Sequence, residues 1–109
     1  MTQTLYFDEP LEGREKTKPS LTVTKKILTD LPRKTVGVKV YCALRSWRLE
    51  YAENDDRAWS KGGVKAQANY EPDSSEIVIS IEAEINDGNG DDGIIMTADV
   101  LVILIAPTD

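Results

Sequence analysis

The 109-residue chain reads as an all-β protein, an antiparallel two-sheet sandwich of jelly-roll or immunoglobulin-like type, with six to seven strands and an extended N-terminal arm. Three observations predict this. Apolar and polar residues alternate in one stretch after another, the period-two mark of half-buried strands. Turn-forming residues separate these stretches at short spacing, with no convincing long helix. The last third carries two long apolar runs, Glu76 to Ile85 and Ile94 to Ile105, on either side of the glycine- and acid-rich Asn86–Gly93. Together these runs read as a closing hairpin.

Residues 1–19 open with a short strand signal, Thr4-Leu5-Tyr6-Phe7. The following Asp8–Pro19 holds one large apolar residue, two prolines and seven charges, too little apolar surface to fold alone. It is therefore expected to be an arm that straps onto a partner, with the domain proper spanning 20–109. In Ser20–Leu28, Leu21, Val23 and Ile27 alternate, interrupted by Lys25. Asp30-Leu31-Pro32-Arg33 is a turn signal. Thr35–Ala43 reads as a strand with Val36, Val38, Val40 and Cys42 on one face. The apolar phase then slips to odd positions at Trp47, Leu49 and Tyr51, as a bulge or sharp bend would produce, although Leu44, Trp47 and Tyr51 also fit a helical stripe. Trp59 falls in a loop between acidic and glycine-rich segments. Val64, Ala66, Ala68 and Tyr70 alternate again before the turn at Glu71–Ser74.

In the final pair of runs, Ile77, Ile79, Ile81, Ala83 and Ile85 alternate with mostly polar neighbours. Val100–Ile105 is apolar at every position. A strand with two apolar faces belongs in the middle of a sheet or beneath another subunit.

Composition narrows the function. At 40% apolar and 29% charged residues, the chain has the balance of one ordinary globular domain. It contains no histidine, so the commonest general acid–base and metal ligand is missing. The single cysteine, Cys42, excludes an internal disulfide and reads as a small core residue. No apolar leader follows Met1 and no apolar run approaches bilayer length, so the expectation is a soluble chain made in the cytoplasm without a membrane partner. Serine-elbow and phosphate-cradling motifs are absent, and adjacent loop carboxylates define no acid–base geometry, so no enzyme and no cofactor are expected.

Asp87, Asn89 and Asp91 repeat at i, i+2, i+4, like the first oxygen ligands of a calcium loop. The register then fails. Asp92 stands where that loop needs glycine, and Ala98 stands where it needs a bidentate glutamate. A solvated turn is the better reading.

Charge is segregated along the chain. Residues 20–51 carry seven basic and two acidic side chains, whereas 52–109 carry three basic and thirteen acidic. Such asymmetry suits self-association or docking on a charged lattice, or simple Lys–Glu pairing across a sheet. Lys25, Lys26, Arg33, Lys34, Lys39, Arg45 and Arg48 near Tyr41 and Trp47 faintly suggest a single-strand nucleic-acid platform, but the net charge of −6 argues against it.

The plan of a compact sandwich, a polar arm and an acidic balance resembles small accessory proteins of virus particles. Decoration or cement proteins of tailed-phage capsids are of this kind. The resemblance implies a virion protein, made in the host cytoplasm, that clamps capsid subunits through its arm and sheet edges and forms a homo-oligomer. On that reading, Leu5, Tyr6, Phe7, Leu11, Arg14 and the loop residue Trp59 are the partner-binding candidates. The alternatives are a carbohydrate- or cell-surface-binding sandwich using Trp59 and Tyr70, and a small acidic inhibitor.

Overall fold

The computed structural model describes residues 1–15, 20–51, 61–86 and 93–108. They form six strands: β1 (Thr2–Glu15), β2 (Ser20–Leu28), β3 (Lys39–Tyr51), β4 (Lys61–Glu71), β5 (Glu76–Asn86) and β6 (Ile94–Pro107). No helix occurs among the described residues. Two antiparallel three-stranded sheets result, ordered β1-β6-β3 and β2-β5-β4. They pack face to face, β1 over β2 and β3 over β4.

The core follows from the alternation. Ile77, Ile79 and Ile81 of β5 are fully buried, as are Ile94, Met96, Val100, Val102 and Leu104 of β6. Each such side chain contributes about 1.5–3 kcal/mol by leaving water. Both strands are central in their sheets, so neighbours on either side shield their inner faces.

This placement corrects the expected closing hairpin. β5 and β6 do not pair with each other but lie in opposite sheets. Each has an inner face apolar enough to form half of the core, and pairing them side by side would leave one sheet without its centre. The only hairpin among the described strands joins β4 to β5.

The arm also needs correcting. β1 pairs with β6 along its whole length, from Thr2↔Pro107 to Glu15↔Ile94. The segment is extended, as expected, but it is an integral strand. Its odd positions face inward, and Leu5, Phe7 and Leu11 fall on that phase and join the core, while Tyr6 falls on the outward one. A composition count missed this because a strand can borrow its hydrogen-bond partner and half its core from elsewhere.

The phase slip in β3 is a bulge. Its register against β6 shifts between Leu44 and Ser46, which puts Trp47 and Leu49 in the rows of Ala98 and Met96; Leu49 packs on the core, whereas Trp47 stays 50% exposed. The helical alternative for this segment is therefore excluded. β3 also starts later than the alternation suggested. Gly37 has φ +77° and Lys34 has φ 64°, so the chain is still turning before Lys39, and Val36 is 78% exposed.

Residues 29–38 close one end of the sandwich. Leu31 is buried against the core. The Thr29 N–H and hydroxyl both donate to the Ser75 carbonyl at 2.8 Å, and the Ser75 hydroxyl donates to the Leu31 carbonyl at 2.8 Å. The Leu31 N–H in turn donates to the Thr29 hydroxyl oxygen at 3.3 Å, so both backbone groups that Leu31 carries inward are satisfied.

Candidate interaction surface

The two sheets present unlike outer faces. On β2-β5-β4 the cross-strand rows are Thr22–Glu82–Lys65, Thr24–Ser80–Gln67 and Lys26–Val78–Asn69. This surface is largely polar, with Leu28 exposed at the end of β2, and in it Lys65 and Glu82 stand opposite one another, as simple cross-strand pairing would have it.

On β1-β6-β3 the outward rows are Thr4–Ile105–Lys39, Tyr6–Ile103–Tyr41 and Asp8–Leu101–Ala43. Tyr6 is 68% exposed and Tyr41 54%, and the three aliphatic residues between the edge strands are half-buried. The sheet therefore has an apolar strip along β6 flanked by tyrosines. Arg45, the extra residue of the bulge, reaches across this strip, and its guanidinium donates to Asp8 Oδ1 at 2.8 Å. That hydrogen bond first, and the Asp8 charge second, raise the already high Arg45 pKa.

Toward the other end the same face becomes polar. A groove of about 490 Å³ runs over the polar Glu12, Ser46, Arg48, Thr97 and Asp99, with Pro10, Leu11, Ala98 and the half-exposed Trp47 also lining it. The Ser46 hydroxyl donates to Asp99 Oδ2 at 3.1 Å across its mouth.

The structure divides the residues that sequence put forward as partner contacts. Tyr6 and Arg14 lie on the exposed face of β1. Leu5 and Phe7 pack inward, and Leu11 is only 4% exposed, so these three hold the core and cannot meet a partner without opening it. Trp59, Asp87, Asn89 and Asp91 lie outside the described residues. Among the described residues no cluster of three metal-ligating side chains exists. Tyr70 points inward opposite Ile77 and is half-buried, with its hydroxyl buried and unpartnered among the described residues.

The basic residues are divided as well. Lys39, Arg45 and Arg48 line the outer face of β3, whereas Lys26 belongs to the opposite sheet. Lys25 turns inward to pair with Glu9 at 2.7 Å and donates to the Pro10 carbonyl at 3.3 Å. It thereby ties β2 to the edge strand β1. The two-sided apolarity of Val100–Ile105 marked Leu101 and Ile103 for a place in the middle of a sheet or beneath another subunit, whereas Tyr41 entered only as an aromatic beside the basic residues.

Comparison of the chain with protein-family models, with curated proteins and with solved structures finds no match.

Proposed function

We propose that this chain is a non-enzymatic structural and binding module. In this reading it is a virion accessory protein that attaches to a capsid or similar protein lattice through the outer face and bordering edges of its β1-β6-β3 sheet. The observation that carries the reading is the contrast between the two outer faces. One sheet is polar outward, and the other exposes tyrosines around an aliphatic strip. Exposed apolar patches with a polar rim mark contact surfaces for other macromolecules, and tyrosine is among the residues enriched there.

The strand order supports the jelly-roll form of the sandwich. First and last strands are neighbours, and every connection except the β4–β5 hairpin passes from one sheet to the other. This is the plan of a jelly roll shortened by two strands, and that architecture recurs in viral capsid proteins and in lectins. Within this proposal β1 takes the place of the free strap. It anchors the face and contributes Tyr6 to it.

The test is sedimentation of lysate from producing cells. The wild-type chain should travel with a large particle in stoichiometric amount. Ile103→Lys, which places a charge in the middle of the apolar strip, should leave the chain folded by circular dichroism yet unattached. Normal attachment of the folded variant would overturn the surface assignment.

A further inference from the structure

We infer that the outer face of the β1-β6-β3 sheet takes a second copy of this chain, face to face, about a two-fold axis running along β6. The inference rests on the contact-surface reading above and names the occupant.

The face carries its own complement. On β1 Asp8 and Glu12 point outward, with Arg14 beyond them at the end of the strand, and on β3 Lys39, Arg45 and Arg48 point outward. Between them β6 presents Leu101, Ile103 and Ile105 at one end and Thr97 and Asp99 at the other. A two-fold along β6 turns a second face onto the first so that each β1 lies over the partner's β3. Ile103 then meets its own copy and Tyr6 meets the partner's Tyr41. Asp8, which holds Arg45 of its own chain at 2.8 Å, comes within reach of the partner's Arg45, so the pair formed inside each chain can be exchanged for one between chains. Such a contact is isologous, with each patch serving as the other's target. Asp99 also nears its own copy, a like-charge contact at the polar end of the face and four residues from Ile103; Ser46 already donates to this carboxylate.

The area is adequate. Strands of this length, at about 3.3 Å per residue and about 4.8 Å apart, give a face of roughly 45 by 14 Å. With side-chain relief that approaches the roughly 800 Å² per partner of a standard stable interface. The polar outer face of the other sheet has neither the apolar centre nor the opposed strips, so one pair forms and growth stops there.

Purified protein is examined by sedimentation velocity and native mass spectrometry from low- to high-micromolar concentration. A concentration-dependent dimer is expected, with Ile103→Lys raising its dissociation constant about a hundredfold by burying an unpaired charge. Two charge-reversed chains give a readout that leaves the apolar centre intact. One carries Asp8→Lys with Glu12→Lys, and the other carries Arg45→Glu with Arg48→Glu. Each alone should be monomeric, because like charges then meet at both seams. Mixed together they should form a heterodimer, because both seams are restored. A wild-type chain that stays monomeric, reversed chains that pair alone as well as wild type, or a mixture that fails to pair would each overturn the inference. A monomeric wild type whose particle attachment is still abolished by Ile103→Lys would end the self-pairing inference while leaving the contact-surface reading standing.

Discussion

At the scale of single residues, the inner face is decided by how closely the sheets approach. Gly13 is the clearest case. An added Cβ there would lie 2.5 Å from Val23 Cγ2 and 3.0 Å from Leu21 Cδ1. Val23 is β-branched and sits in a strand, so it has little freedom to retreat. Gly13→Ala is expected to cost about 1–3 kcal/mol through overpacking of the β1–β2 seam. The midpoint of denaturant unfolding measures this, and an unchanged midpoint would mean the seam opens freely. Cys42 is the second case. Burial pushes its thiol pKa above the ordinary value, so the native chain keeps a proton that the unfolded chain has already released. Stability is therefore unaffected at neutral pH and falls as pH rises from the ordinary thiol range through the raised value. The thiol should also react with a disulfide reagent more slowly in native than in unfolded protein at the same mildly alkaline pH; equal rates would contradict its burial. The alternation in the sequence located Cys42 on the inner face of β3 correctly. It could not reveal the role of Gly13, because a glycine's need for space depends on the strand that happens to lie above it.

At the scale of elements, β1 carries the main correction. Its composition is that of a tail, yet fourteen register partners on β6 and the buried Leu11 make it a wall of the sandwich. Deleting residues 2–15 should uncover one edge of β6 and the core beneath Leu5, Phe7 and Leu11. The expected outcome is loss of the cooperative unfolding transition, read by near-ultraviolet circular dichroism and thermal melting. A truncated chain that melts cooperatively at the wild-type temperature would restore the detachable-strap view. Lys25 looked like a break in β2. It is instead an inward-facing end of the Glu9 ion pair, and its bond to the Pro10 carbonyl occupies a backbone acceptor beside a residue that has no N–H to offer. The bulge in β3 is the opposite lesson. A one-residue shift in apolar phase can be seen in the letters because it flips every later side chain to the other face.

At the scale of the whole molecule, the sandwich is long and thin, 57 × 22 × 16 Å, with four sheet edges and two unlike outer faces. Thin sandwiches bury only one side of each sheet, so a second apolar face has to remain exposed or find a partner. The particle-attachment and self-pairing experiments belong at this scale, since both ask what covers the strip along β6. The segregation of charge along the sequence acquires a geometric form here. The basic middle of the chain places Lys39, Arg45 and Arg48 along the β3 side of that face, and β1 places Asp8, Glu12 and Arg14 along the other.

The sequence by itself determined the all-β class, most of the strands, the bulge and the central position of the two-faced β6 run. These follow from side-chain periodicity, which is local. Only the tertiary structure decided that β5 and β6 stand in opposite sheets, that the polar N-terminal segment is a core strand, and which outer face is apolar. Those depend on which distant strand supplies the hydrogen bonds and the second half of the core, and no local pattern encodes the choice of partner.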